Sequence, residues 1–190
     1  MSTPVSRLFV AVSVEPDRKK EMAEWFRMAK PKLPFQKWVH PDDLHVTLKF
    51  LGDTTSAVRA DLEERLRSAT ESCEPFTLRV EGLGVFGPPS APSILWAGIG
   101  GDVPALVALQ REAEEAAEAA GFERENRAFK PHLSLARRYR GSTPFRGELL
   151  TTQEDLQPLT FTWNVRECIL YESHFGHEPM YTPVCVFPFT

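Results

Sequence analysis

Apolar and polar positions along this chain follow two periods, and the points where one gives way to the other mark its elements. Arg7 to Val14 is a run of apolar and small residues that predicts a strand. From Asp17 to about Lys30 the spacing becomes helical, with Met22, Trp25, Phe26 and Ala29 on one face and a proline at each border. Pro31 to Asp43 reads as a loop. Leu44 to Leu51 alternates as a strand that ends at Gly52-Asp53, and Thr55 or Ser56 caps a helix with Val58, Leu62, Leu66 and Ala69 facing inward. Phe76 to Val85 and Ile94 to Ile99 are strands parted by the turn-rich Gly87-Pro-Pro-Ser-Ala-Pro92. Val103 to Ala120 is an Ala- and Glu-rich helix stopped by Gly121. A strand from His132 to Ala136, a short helical or looped stretch near Leu149–Leu156, a strand from Leu159 to Tyr171 and a last strand from Tyr181 to Phe187 complete the chain.

The order strand, helix, strand occurs twice. A repeat of that kind implies two similar lobes related by an approximate two-fold, within one α+β domain covering residues 1–190.

The echo extends to four-residue motifs on the second strand of each lobe. His45-Val-Thr-Leu and His132-Leu-Ser-Leu are the same pattern, 87 positions apart. Alternate side chains of a strand share a face, so His45 goes with Thr47 and His132 with Ser134. If both faces turn into one groove, two imidazoles and two hydroxyls converge on a space suited to a phosphate. In-line displacement at phosphorus needs a base beside the attacking oxygen and an acid beside the leaving one. Histidine, with an ordinary pKa of about 6.5, serves in either role near neutral pH, and hydroxyls can donate to the non-bridging oxygens. Which imidazole is acid and which is base, the residues leave open.

Charge and composition narrow the class. The net charge is −4, which argues against a general nucleic-acid coat, yet Arg124, Arg127, Lys130, Arg137, Arg138 and Arg140 face only Glu125 in the stretch around the second motif. A local basic patch suits a phosphate-bearing ligand of limited size. Cys73, Cys168 and Cys185 are odd in number and widely spaced, as expected of reduced thiols rather than a disulfide framework or zinc knuckle. No apolar run approaches the roughly 18 residues of a membrane span, and the first residues show no secretory leader pattern. A cytoplasmic protein, without membrane attachment and acting as a monomer, is the expectation.

Six ordered blocks carry a resemblance: Arg7-Leu-Phe-Val-Ala-Val, Leu44-His-Val-Thr-Leu-Lys-Phe-Leu-Gly-Asp53, Leu95-Trp-Ala-Gly98, Phe129-Lys-Pro-His-Leu-Ser-Leu-Ala-Arg137, Leu170-Tyr-Glu-Ser-His-Phe175 and Tyr181-Thr-Pro183. On these the chain resembles the 2H phosphoesterase superfamily, and within it the RNA 2′,3′-cyclic phosphodiesterases long called 2′-5′ RNA ligases. The resemblance implies a bilobal α+β fold with two antiparallel sheets facing a central cleft and helices on the outer faces. It also implies metal-independent, cofactor-free hydrolysis of RNA 2′,3′-cyclic phosphate ends or small cyclic nucleotides to 2′-phosphomonoesters, and 2′-5′ ligation by reversal. By the same analogy His45 is the proton donor, His132 the proton acceptor, and Thr47 and Ser134 bind the phosphate; Ser134 stands where the named motif has Thr but keeps the hydroxyl.

Arg137 is a further candidate for the phosphate, although plain alternation puts it opposite His132 unless the strand bulges. Lys49 and Lys130 share parity with the histidines. Tyr171, Trp38 and Phe86 are candidates for stacking a base, and packing explains each of them as well. His174-Phe-Gly-His177, joined by His40, has the residue types of a metal site, but a Gly-containing hairpin loop accounts for the segment. A binding module that holds a nucleotide in the same cleft without turnover is the alternative function.

Overall fold

The computed structural model describes residues 5–151 and 156–190. The elements in order are β1 (Val5–Ser13), α1 (Pro16–Ala29), β2 (Phe35–Trp38), β3 (His45–Thr55), α2 (Ser56–Thr70), β4 (Phe76–Phe86), β5 (Ile94–Gly101), α3 (Val103–Ala119), β6 (His132–Tyr139), β7 (Thr160–Val165), β8 (Glu167–Ser173) and β9 (Tyr181–Pro188). All strand pairs are antiparallel and lie in one nine-stranded sheet, ordered β7-β4-β5-β6-β3-β1-β8-β9, with β2 added to β6. The order reads as two mirrored halves, β7-β4-β5-β6 and β3-β1-β8-β9. Among the described residues, the strand pairing that joins them is Val46 with Leu133.

The predicted α+β class is the observed one, and the two antiparallel sheets expected to face a cleft are the two halves of one continuous, curled sheet, paired with each other at Val46 and Leu133. Several local expectations are corrected. The loop expected over residues 31–43 contains β2, which pairs with β6 through Phe35, Lys37 and Trp38. The strand expected from Leu159 to Tyr171 is two strands. Phe161, Trp163 and Val165 alternate inward, then Arg166 breaks the phase and Cys168 to Tyr171 are all buried. A single residue thus links β7, at one end of the strand order, to β8 near the other, which requires the sheet to curl until its ends approach. The Phe189 amide donating to the Arg166 carbonyl and the stacked rings of Phe76 and Phe189 close that seam. Of the stretch expected to be helical or looped near Leu149–Leu156, a short 3-10 turn spans Gly147–Leu150, and residues 152–155 lie outside the described residues.

The helices cover the sheet face away from the motif histidines, and α1 and α3 each cross to the other half. α1 follows β1, yet its Trp25 and Phe26 pack on Trp38 of β2, and Arg18 reaches the Thr162 carbonyl of β7. α3 follows β5, yet Glu114 meets Lys49 of β3, and Gln110 reaches the Leu48 carbonyl. One buried apolar cluster therefore draws on both halves, from Leu8, Val10 and Val46 to Leu95, Leu133 and Trp163.

Candidate active site

Each motif begins its strand, and each histidine is oriented by the residue two before it. The His45 Nδ1–H donates to the Asp43 carbonyl at 2.6 Å, and the His132 Nδ1–H donates to the Lys130 carbonyl at 2.7 Å. A carbonyl only accepts, so Nδ1 carries the proton in both rings and Nε2 is left as the reactive nitrogen. His45 Nε2 lies 3.0 Å from the Thr47 hydroxyl, which donates to it when the ring is neutral. Asp43 is itself anchored. It is 7% exposed, and its carboxylate accepts from the Met180 and Tyr181 amides at 2.8 and 3.0 Å, tying the start of β9 to the first motif.

Around the Val46–Leu133 pair, β3 and β6 run antiparallel, which relates the two motifs by a local two-fold. Both strands then bulge at the same place. Against β1, Thr47 pairs with Ala11 and Lys49 with Val10, leaving Leu48 extra; against β5, Ser134 pairs with Trp96 and Ala136 with Leu95, leaving Leu135 extra. A bulge inverts the alternation beyond it. Val46, Leu48, Leu133 and Leu135 stay in the core, His45, Thr47, His132 and Ser134 line the groove, and beyond the bulge Lys49 and Ala136 fall on the core face while Phe50 and Arg137 fall on the groove face.

The bulges decide the parity of the remaining candidates. Arg137 is on the histidines' face and close enough to Tyr181 for its charge to act on that phenol. Lys49, expected to share the groove, is instead 6% exposed on the opposite face, where it pairs with Glu114 at 2.5 Å and donates to the Glu123 carbonyl at 2.6 Å. Lys130 sits in the loop before β6 with its side chain exposed, and contributes its backbone carbonyl. Trp38 packs under α1, away from the groove, whereas Tyr171 and Phe86 are in it. The basic stretch disperses: Arg124 meets Glu118, Arg127 is held by Glu125, and Arg140 reaches Gln36.

Aromatic rings form the walls. Around His45 stand Phe9 at 4.8 Å, Tyr181 at 5.2 Å and Tyr171 at 6.2 Å, and around His132 stand Phe86 at 5.0 Å and Trp96 at 6.4 Å between ring centres. Trp96 lies flat on Gly84, where any Cβ would come within 2.7 Å of three ring atoms. Phe9, Tyr181, Trp96 and Asp43 were not singled out from the sequence. Phe9 did carry a signal, since an aromatic ring between the core residues Leu8 and Val10 means that β1 is covered on both faces. His174 and His177 lie 5.8 Å apart in the β8–β9 hairpin, and among the described residues no group of three or more His, Cys, Asp or Glu is placed to hold a metal ion. His40 instead caps the turn at Asp42. A separate recess between α2 and α3, lined by Asp61, Glu64, Glu112 and Glu115, holds none of the groove residues.

Known proteins share sequence and fold with the chain. Residues 12–96 match the LigT-like phosphoesterase family. The RNA 2′,3′-cyclic phosphodiesterase of Archaeoglobus fulgidus is 35% identical over 131 residues, covering 69% of this chain and 72% of that protein. The chain belongs to the LigT-like phosphoesterases. The RNA 2′,3′-cyclic phosphodiesterase of Geobacillus stearothermophilus is 35% identical over 183 residues, 96% of this chain, which spans 57% of that relative's length. E. coli LigT complexed with 3′-AMP superposes with a TM-score of 0.79 at 23% identity, covering 98% of this chain and 99% of LigT, and shares its fold. The protein TT0787 of Thermus thermophilus gives a TM-score of 0.73 at 26% identity, covering 96% and 97% of the two chains.

In this LigT-like groove the surroundings of His45 hold its ring neutral. Burial among the aromatic rings lowers His45 from 6.5 to about 4, opposed by the Asp43 carbonyl and carboxylate and reinforced by the nearby charges of His132 and Lys19. Burial raises the Tyr171 and Tyr181 phenols, so both keep their protons near neutral pH and remain donors. The groove can therefore accept and deliver protons at two Nε2 atoms, and its hydroxyl groups can hold an anion between them.

Proposed function

We propose that this groove hydrolyses RNA 2′,3′-cyclic phosphodiesters to 2′-phosphomonoesters, using two histidines and no metal. His132 Nε2 takes a proton from water, whose oxygen attacks phosphorus; the bond to the 3′-oxygen breaks as His45 Nε2–H protonates it. Thr47, Ser134 and Arg137 hold the non-bridging oxygens, where negative charge grows. The observation that carries this reading is the paired geometry: both rings have Nδ1 committed to a backbone carbonyl, leaving Nε2 of each as the reactive nitrogen. Proton transfer and donor groups are thus supplied by side chains, which leaves no step that calls for a Lewis acid. The names of the relatives point to the same substrate class.

His45 is lowered to about 4 in the free protein, so the donor gains its proton together with the anionic phosphate, whose charge offsets the cost of burying an imidazolium. Both histidines come from one chain, which supports action as a monomer, and the free thiols suit the cytoplasm. Among the described residues no helix is long and apolar enough to cross a membrane. With a 5′-hydroxyl in place of water, the same groups in the same roles join a cyclic end as a 2′-5′ bond: His132 Nε2 takes the proton of the 5′-hydroxyl, whose oxygen attacks phosphorus, and His45 Nε2–H protonates the departing 3′-oxygen.

The test is turnover of 2′,3′-cyclic nucleotides and cyclic-ended oligonucleotides, in excess chelator, by wild type and single variants. His45→Ala and His132→Ala should each lower kcat by about 10²–10⁴-fold while nucleotide binding persists. Thr47→Ala or Ser134→Ala should cost less. Binding without turnover at any pH would favour the nucleotide-binding module instead.

A further inference from the structure

The groove does not stop at the two histidines. Along β1 the side chains facing it are Ser13, Ala11, Phe9 and Arg7, while Leu8, Val10 and Val12 point into the core. Phe9 touches His45; Arg7 is the next groove-facing residue, about 7 Å further from the histidine at strand spacing. Two aromatic rings flank this extension. Phe50 lies opposite Phe9 in the β1–β3 register, 6.1 Å away between ring centres, and was turned to this face by the bulge at Leu48. Phe175, in the loop after β8, lies under the Arg7 guanidinium at 5.4 Å.

These two rings are unlike the other phenylalanines at the site. Phe9 is 3% exposed, whereas Phe50 and Phe175 are 71% and 70% exposed. Burying a phenylalanine gains free energy, and a fold gains nothing from leaving two wet beside a cation at the mouth of its reaction groove. What uses exposed π-faces with an arginine between them is a flat, aromatic, partly anionic ligand. Successive bases of single-stranded nucleic acid are such a ligand: they stack on aromatic rings and on guanidinium planes. The feature is continuous with the groove through Phe9, so a ligand that extends from the space between the histidines reaches it.

We propose that Phe50, Arg7 and Phe175 form a stacking subsite for the base of the nucleotide preceding the terminal cyclic phosphate. This rests on the reading of the groove as a cyclic phosphodiesterase site, and it names the preferred substrate as an oligonucleotide end rather than a free cyclic mononucleotide. Specificity then comes from length and stacking, and is tolerant of base identity.

The experiment compares kcat/KM for a 2′,3′-cyclic mononucleotide with that for a trinucleotide ending in the same cyclic nucleotide. Stacking of one base is worth roughly 5- to 150-fold, and wild type should favour the trinucleotide by that order. Phe50→Leu with Phe175→Leu keeps apolar bulk but removes both stacking faces. It should abolish the preference and leave mononucleotide turnover unchanged, and Phe50→Trp should restore part of it. Equal rates on the two substrates, or a loss shared equally by both in the leucine variant, overturn the subsite while the phosphodiesterase reading stands. No turnover of either substrate by wild type overturns that reading. If sedimentation shows that the leucine substitutions dissociate a dimer with no change in substrate preference, the rings serve a second copy of the chain, and the subsite is wrong.

Discussion

His45 is pulled in two directions. Its neighbours Phe9, Tyr171 and Tyr181 strip water from the ring and favour the neutral form, whereas the Asp43 carbonyl and carboxylate favour the charged one. Burial wins, and the ring is neutral near physiological pH until an anion shares the groove. An NMR titration should place the His45 midpoint near 4 in the free protein and move it up when inorganic phosphate is added. A free-protein midpoint near 6.5 would contradict the burial argument. Folding is linked to the same ring. The unfolded chain binds a proton between about 6.5 and 4 that the folded chain refuses, so stability is present above that window and falls as pH falls through it. His45→Gln removes this dependence, and wild type should lose stability relative to that variant across the window.

At the level of elements, the matched bulges in β3 and β6 decide which residues reach the groove. The first bulge sends Lys49 inward, where it needs a partner. Glu114 of α3 supplies it, accepting also from the Glu125 amide, while Lys49 holds the Glu123 carbonyl. This buried pair links the first motif's strand to the loop that leads to Lys130 and His132. Removing one partner leaves a buried charge uncompensated, and such losses cost about 3–5 kcal/mol. Glu114→Gln or Lys49→Met should each lower stability to urea by that order. The double variant Lys49→Met, Glu114→Leu should recover most of the loss, because replacing both charges with apolar groups removes their desolvation cost. If the double variant is as unstable as the sum of the single ones, the pair is not the coupled unit described here.

In the whole molecule, each half carries a helix that belongs, in chain order, to the other. α1 leaves β1 to cover β2 and β7, and α3 leaves β5 to cover β3. Each half loses a covering helix if the other unfolds, and only α2, which follows β3 and packs against β9, stays with its own half. Thermal unfolding should therefore be a single transition, with calorimetric and van't Hoff enthalpies in agreement. Two resolved transitions would mean the halves are independent. The exchange also matters for the site, since a shared core holds the two motif strands in fixed relation although, among the described residues, one residue pair joins them in the sheet.

The sequence alone determined what local periodicity and residue chemistry determine: the α+β class, the three helices Pro16–Ala29, Ser56–Thr70 and Val103–Ala119 to within a residue or two, and the two motifs with their reactive side chains. Tertiary structure decided what depends on neighbours. Alternation by itself put Lys49 in the groove and Arg137 outside it, because bulges at Leu48 and Leu135 arise from pairing with β1 and β5, which the strand's own residues do not encode. Residues 159–171 are continuous in apolar character, and only the curl of the sheet assigns their two parts to different places. Asp43 and Tyr181 read as an ordinary loop acid and strand aromatic, and become parts of the site only when β9 returns beside β8 and lays its first amides on the Asp43 carboxylate. The candidate side chains were written in the chain, and their arrangement came from contacts between residues distant along it.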